Sequence, residues 1–247
     1  SMNNNSDKLD KKYNKFHAAL IIQKRIISEN NFTYRKTIKI LDPIVKSKIL
    51  KILDYGCGVG TLDFYLANMG HSVVGVDISP KAISICKKSA KAIGVSNNTE
   101  FKMVNSISGK FDLIICSEVL EHLKNDYLTV HKLSKLLNRK GKIIVSVPST
   151  NAPLFKIKLT KHFDIKVGHL RRYSIDSLRD LIKRNNFKIL NVYKTEGILR
   201  NSLYVFSSLN WIVEFLKGPL SDFVTFIDDA TIEIFGNSNV YIVAQKI

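Results

Sequence analysis

Glu118, Glu121 and His122 stand together in the stretch CSEVLEHL, directly after an apolar run. On a helix, their i, i+3 and i+4 spacing gathers two carboxylates and an imidazole within one turn. Such a set supports two chemistries. His122 takes a proton from a substrate hydroxyl as a general base, or all three hold a divalent metal that orients and acidifies that hydroxyl. A plainer reading has the acids capping a helix and His122 satisfied as a polar group. We expect Glu118, Glu121 and His122 to serve a site and expect no metal there, with a divalent ion as the less favoured option.

A second constellation is LDYGCGVG, residues 53–60, behind the apolar run 49–52. A strand that runs into glycines and then a helix makes the nucleoside-binding turn of a doubly wound sheet. The glycines let the backbone turn sharply and let a ligand approach it closely. Their Gly-x-Gly-x-Gly spacing differs from the Gly-x-Gly-x-x-Gly that seats a pyrophosphate on a helix N-terminus. Asp54, two residues before the first glycine, would repel a pyrophosphate and suits an ammonium group. Asp77 closes the next apolar run, VVGVD, where a carboxylate accepts both ribose hydroxyls. An ammonium and a ribose without a phosphate describe S-adenosylmethionine better than NAD.

Taken together, ILDYGCGVGTL, VVGVDIS and FDLIICSEVLEHL resemble the class I S-adenosylmethionine-dependent methyltransferases over residues 48–150. The resemblance implies that Asp54 and the loop Gly56, Cys57, Gly58 and Gly60 hold the methionine part of the cofactor. It implies that Asp77 holds the ribose, that Ile78 flanks the adenine, and that Ser117 lies along the same cofactor. The family places an acidic residue after the third strand for the adenine amino group; here Asn105 stands there, and its carbonyl accepts the same bond. Glu-x-x-Glu-His resembles the ubiquinone-pathway O-methyltransferases, where such residues can bind a divalent cation. It is also similar to the small-RNA 3′-end 2′-O-methyltransferases, but those carry a further histidine where this chain has Leu123.

Two further stretches bear on the acceptor. KHFDIKVGHLRRYS holds His162, His169, Arg171, Arg172 and Tyr173, and paired arginines grip phosphate or carboxylate bidentately. GHLRRYS resembles a stretch of the type-11 branch of these enzymes that shapes the substrate side. We expect His169, Arg171, Arg172 and Tyr173 near the acceptor, against an equally weighted local structural role. Residues 197–237 are apolar, with Tyr204, Phe206, Trp211, Phe215, Phe223 and Phe226. They would line a greasy pocket that includes Trp211, touch a membrane surface, or simply pack as a helical hairpin or dimer contact.

The elements that must position these residues follow from periodicity. Residues 8–47 read as helical, with Phe16, Ala19, Leu20, Ile22, Ile26 and Ile27 at helical spacing up to Asn30-Asn31, and a second helix over 33–41. Strands are expected at 50–54, 72–76, 100–104, 111–116, 142–147, 187–194 and 239–245. Helices are expected at 60–69, 80–93, 122–138 and 174–185, with 149–173 irregular. Strands alternating with helices predict an α/β fold. That fold is a doubly wound, mostly parallel seven-stranded sheet, Rossmann-like, with N-terminal helices over 1–47. The methyltransferase domain spans 48–247, and 197–237 forms a helical insert or lid before the last strand.

Bulk properties narrow the function classes. The three cysteines are far apart and no CxxC occurs, which argues against a disulfide framework and a cysteine zinc site, and fits a reducing cytoplasm. The N-terminus shows no signal-peptide pattern, and no apolar run is long enough to span a bilayer. A net charge of +17 is compatible with nucleic acid, anionic lipid or plain solubility. Residues 197–237 go against it, with Arg200 and Lys217 facing five acidic residues. The expected function is methyl transfer from S-adenosylmethionine, giving S-adenosylhomocysteine, to a small hydrophobic or lipid-like acceptor, at oxygen. The expected location is cytoplasmic with an optional peripheral membrane contact. The rivals are an RNA methyltransferase, which lacks an aromatic-interleaved basic module, and a cofactor-binding domain without activity.

Overall fold

A computed structural model describes residues 22–247. Seven strands, β1 (Lys51–Tyr55), β2 (Ser72–Asp77), β3 (Thr99–Met103), β4 (Phe111–Ser117), β5 (Leu137–Pro148), β6 (Phe187–Thr195) and β7 (Asn239–Lys246), form one sheet in the order β3-β2-β1-β4-β5-β7-β6. The chain divides into two compact units, one of residues up to 27 with 45–115, the other of residues 28–44 with 116–247.

The first unit alternates strand and helix: β1 (Lys51–Tyr55), α2 (Thr61–Asn68), β2 (Ser72–Asp77), α3 (Pro80–Ile93), β3 (Thr99–Met103) and most of β4 (Phe111–Ser117). β1 pairs in parallel with β2 and with β4, and β2 pairs in parallel with β3. β4 carries four consecutive fully buried residues, Leu113 to Cys116, as a strand covered on both faces must. The start of α3 is written in the sequence. Ser79 accepts a hydrogen bond from the Ala82 N–H, Pro80 occupies the first turn, and Gly94 ends the helix with φ 87°.

The second unit begins with α1 (Arg35–Val45). It continues with α4 (Asp126–Leu136), β5 (Leu137–Pro148), α5 (Pro153–Lys156), α6 (Lys161–Val167), α7 (Ile175–Lys183) and β6 (Phe187–Thr195). α8 (Ile198–Val205), α9 (Asn210–Phe215), α10 (Gly218–Phe235) and β7 (Asn239–Lys246) complete it. β7 runs antiparallel to both β5 and β6, with a register shift between Ile189 and Asn191. The insert is thus helical, as expected.

Four expectations need correction. The helix expected up to Asn30 does not extend over 22–30; its earlier part lies outside the described residues. There the Gln23 N–H donates to Ser89 Oγ, and its side chain donates to Val59 O and Thr61 Oγ1, so long-range partners replace the helical ladder. The second helix runs on through Asp42-Pro43 to Val45, because Ile38, Leu41 and Val45 bury one face and Pro43 forfeits a single late N–H. α4 starts at Asp126 because Asn125 caps it by accepting from the Leu128 N–H. Segment 149–173 is less irregular than expected, since it contains α5 and α6.

Candidate active site

In the first unit, the loop after β1 takes the form its glycines allow. Gly56, Gly58 and Gly60 all sit at positive φ, a conformation that costs a residue with a Cβ about 1 kcal/mol or more. The Gly56 and Cys57 N–H groups both donate to Val76 O, which ties the loop to the end of β2. A Cβ on Gly60 would lie 2.9 Å from the Phe64 ring, whereas one on Gly58 would meet nothing within 4 Å. The loop is therefore packed on one side and open above Gly58. Asp77 accepts from the Gly58 N–H at 3.0 Å and from the Ser79 N–H at 2.8 Å, one on each carboxylate oxygen. Ile78 is half-buried beside it, and Asn105 is exposed in the turn after β3.

Asp54 and Asp63 form a buried acid pair in this unit. Asp63 sits in the first turn of α2, wholly inaccessible, with neither oxygen accepting a hydrogen bond from an N–H. Burial pushes the Asp54 carboxyl up to about 7; a hydrogen bond with Asp63 opposes this and the Asp77 charge adds to it. Burial and the Asp54 charge push Asp63 up as well. Two acids packed together in a dry site hold a shared proton rather than two charges. Gly75, opposite Asp54 in the register, makes the space: its Cβ would lie 2.6 Å from Asp63 Oδ1.

The second unit holds the Glu-x-x-Glu-His stretch, and here the geometry departs from one helical turn. Glu118 has φ 55° and only Leu120–His122 form a short 3-10 turn. The three side chains therefore do not converge. Glu118 Oε1 accepts from Ser146 Oγ at 3.0 Å and from Asn239 Nδ2 at 2.8 Å, and Ser117 Oγ lies 2.7 Å from the same Ser146 hydroxyl. Glu121 instead faces His122 and His169.

That second trio has a distinctive donor count. His122 Nδ1 lies 3.1 Å from the Gly168 carbonyl, and His169 Nδ1 lies 2.9 Å from Asp164 Oδ1. Both partners accept only, so each Nδ1 carries a proton, and each ring turns its Nε2 toward Glu121. Those Nε2 atoms stand 3.6 Å and 3.8 Å from Glu121 Oε1. Glu121 is wholly inaccessible and both its oxygens lack a hydrogen-bond partner. Burial, reinforced by the Glu118 charge, raises its pKa well above the usual carboxylate range. A buried carboxyl without a hydrogen-bond partner, set beside two imidazole nitrogens, calls for a cation, either a proton or a metal. Their ligand atoms all lie within 4.8 Å of one another. The set that could hold a metal is thus Glu121, His122 and His169 rather than the trio expected from spacing.

The surrounding groups hold this trio in place. Burial alone would raise the Asp164 pKa, but hydrogen bonds from His169 and Arg172 and the Arg172 charge outweigh it and bring it down to about 2. Arg172 grips Asp164 through Nε at 3.0 Å and Nη2 at 2.6 Å. Arg171 pairs with Asp126 at 2.8 Å and donates to Lys124 O, while the Tyr173 hydroxyl donates to Asp126 Oδ2 at 2.7 Å. The two arginines expected to grip an outside anion therefore already grip internal carboxylates. His162 is exposed and belongs to no cluster, and Trp211 is 61% exposed on α9, edge-on to Phe215. Spacing gave no sign of Asp63, Asp126, Asp164, Ser146 or Asn239; of these, only Asp164 lay inside a stretch already marked by its histidines and arginines.

Comparison with known proteins gives the family and the fold. A family model described as a methyltransferase domain matches residues 20–192. The ubiquinone biosynthesis O-methyltransferase of Pelagibacter ubique is 29% identical over 221 residues, covering 83% of this chain and 90% of that protein. The mitochondrial enzyme of that name from Schizosaccharomyces pombe is 33% identical over 165 residues, 62% of this chain and 59% of its own length. Other curated relatives match over less than half of their length. Among solved structures, magnesium protoporphyrin IX methyltransferase from Synechocystis PCC 6803 with bound SAH aligns over the full length of both chains. Its TM-score is 0.64 at 18% identity. The chain belongs to this methyltransferase-domain family and has the class I S-adenosylmethionine-dependent methyltransferase fold.

Proposed function

We propose that this protein moves the methyl group of S-adenosylmethionine to an oxygen of a small, apolar acceptor. The observation that carries the reading is the glycine loop between two differently tuned carboxyls. Asp77, fixed by the Gly58 and Ser79 N–H groups at the end of β2, is the carboxylate for the ribose hydroxyls. Asp54, protonated near neutrality, becomes fully ionised against the ammonium of the methionine part. Gly56, Cys57, Gly58 and Gly60 supply the close backbone approach, with Ile78 and Asn105 beside the nucleoside.

The acceptor side rests on His122 and Glu121. The reaction is an in-line displacement. The acceptor oxygen attacks the methyl carbon, the carbon–sulfur bonding pair stays on sulfur, and the hydroxyl proton passes to His122 Nε2. Glu121 offsets the imidazolium that forms, and Asp164 fixes His169 as the Gly168 carbonyl fixes His122. The relatives' names support oxygen as the methylated atom and a quinone-like, apolar acceptor. Contact with a lipid surface is part of this reading, because such an acceptor partitions into bilayers. The pairing of Arg171 and Arg172 with Asp126 and Asp164 weighs against RNA.

A second reading is favoured by the buried Glu121, without a hydrogen-bond partner, lying with the ligand atoms of His122 and His169 all within 4.8 Å of one another. Glu121, His122 and His169 would hold a divalent cation, which would supply Lewis acidity to the acceptor hydroxyl. His122 and His169 would then bind through Nε2, and Glu118 would stay on Ser146 and Asn239.

The test uses methyl-labelled S-adenosylmethionine and an extract of the source organism split into lipid, small-molecule, RNA and protein fractions. Label in the organic phase, absent with Asp77→Ala, supports the reading. Label in RNA overturns it.

A further inference from the structure

Two helices and a strand edge enclose a cleft on the second unit. α1 turns Lys36, Lys39 and Ile40 toward it, and α10 turns Asp229, Ile232 and Glu233. Each set has i, i+3 and i+4 spacing, so each is one face of its helix. Between the helices run Val192 to Thr195, four consecutive residues of β6. Successive side chains leave a strand on opposite faces, so four in a row line a cleft only along a strand's edge. β6 is the last strand of the sheet and pairs with β7 alone among the seven. The cleft has a volume of about 680 Å³, in the range of sites that take small organic molecules. Neither the glycine loop nor the trio of Glu121, His122 and His169 lines it.

The polar groups of the cleft divide into those already matched and those left over. Lys36 Nζ donates to both oxygens of Asp229, and Lys194 lies 3.8 Å from Glu233. Both carboxylates of the cleft thus hold a lysine. The remainder is on the donor side. Lys39 is exposed and, among the described residues, pairs with no carboxylate. Thr195 is 5% exposed, and its hydroxyl has no hydrogen-bond partner, a costly state for a buried polar group. The strand edge adds backbone donors. The Ser238 N–H donates to Glu196 O, which makes 196 and 238 a hydrogen-bonded pair of the β6–β7 ladder. Such pairs alternate along antiparallel strands. Residues 194 and 192 are therefore bonded to β7, and Tyr193 and Thr195 turn their N–H and C=O groups outward, into the cleft. The carbonyls come with the N–H groups, but only the donors are backed by a free charge, the Lys39 ammonium. Ile40 and Ile232 are buried at the bottom, beside half-buried Val192 and Tyr193.

We propose that this cleft is a second ligand site, for a small apolar molecule carrying one anionic group. The anion meets Lys39, the Thr195 hydroxyl and the outward N–H groups of the β6 edge. The apolar body lies on Ile40, Ile232, Val192 and the Tyr193 ring. A cation gains nothing here, because both carboxylates already hold lysines and Lys39 repels it. A neutral apolar molecule leaves Lys39 and Thr195 without a partner. The inference goes beyond methyl transfer, and its test involves no turnover.

The probes are 1-naphthylacetate and its neutral counterpart 1-naphthaleneethanol, titrated calorimetrically into the full chain. The anion binds saturably, at one site and more tightly than about 1 mM, and at least about tenfold more tightly than the alcohol. Lys39→Glu weakens the anion at least about tenfold. Thr195→Val weakens it several-fold and leaves the Tm unchanged or higher, since the hydroxyl has no partner in the protein to lose. S-adenosylmethionine binding of both variants matches the parent, which separates loss of the site from loss of the fold. With the anion bound, hydrogen exchange slows at the Tyr193 and Thr195 amides. The proposal is overturned by the lack of saturable binding, or by equal affinity for the alcohol. It is also overturned if Lys39→Glu binds as the parent does. Unchanged exchange at Tyr193 and Thr195 overturns it too, by placing the probe elsewhere, as on the exposed phenylalanines of α10. A Thr195→Val chain that binds normally but melts earlier assigns that hydroxyl to the fold and overturns its place in the site.

Discussion

Two buried carboxyls, Asp63 in the first unit and Glu121 in the second, share one unusual property and differ in everything that follows from it. Each is wholly inaccessible, and neither accepts a hydrogen bond from an N–H. Asp63 faces another acid, Asp54, so one proton shared between them removes the difficulty. Glu121 faces two imidazole Nε2 atoms whose rings commit their Nδ1 protons to Gly168 and Asp164. There burial favours a proton on Glu121 itself, which a metal ion would replace. The comparison teaches that a buried carboxyl's chemistry is set by what its neighbours still have to give. On the proposed reading, the acid pair would tune the binding of the cofactor ammonium, and the acid–imidazole trio would take a proton or hold a metal.

The largest expected effect tests the two halves together. Asp77→Ala removes the acceptor of both ribose hydroxyls, and calorimetry should show S-adenosylmethionine binding weakened at least about hundredfold, since hydrogen bonds to a charged group are each worth about 1.5–3 kcal/mol. Next, His122→Gln should lower kcat by about hundredfold or more with little change in cofactor affinity. His169→Gln separates the two readings of the trio. A metal cradle loses activity as heavily through His169 as through His122, whereas a proton sink loses only about tenfold through His169, as for an orienting neighbour.

On the first unit's side, Gly75→Ala would push a methyl to 2.6 Å from Asp63 Oδ1 and 2.7 Å from the Phe101 ring. Thermal unfolding should show a loss of about 1–3 kcal/mol, as for an overpacked core. The smallest effect is in pH. The Asp54 pKa is raised from the ordinary 3.8 to about 7. The stability held by its proton is therefore full below about 3.8 and is lost as pH rises through about 7. The cofactor ammonium has the opposite preference and favours ionised Asp54. Cofactor affinity should accordingly rise several-fold from pH 6 to pH 8, with proton release on binding at pH 6. Asp63→Asn should change this profile while leaving the pH dependence of the His122 step in place.

The first unit was far more legible in sequence than the second. Asp54, Gly56, Gly58, Gly60 and Asp77 lie in short contiguous stretches at strand ends, where local backbone demands fix residue type. The four strands and α3 carried clear periodicity and capping. The trio of Glu121, His122 and His169 was legible as residues but not as a group. Its third member comes from a distant segment, brought in where the Leu170 N–H donates to Glu121 O. The positive φ of Glu118 turned that side chain away from the pair it was expected to join. The buried face of α10 was also hidden, because Ser221, Thr225 and Asp228 on it are polar while Phe223, Phe226 and Ile234 are exposed.

The most direct test of the central claim is the chemical form of the transferred methyl group. Labelled S-adenosylmethionine is turned over with source extract, and the organic-phase product is treated with hydriodic acid, which releases a methyl ether as methyl iodide. Label released as methyl iodide, and absent with His122→Gln, is the result this account predicts. Label that stays on carbon or nitrogen, or that resides in RNA, would contradict it.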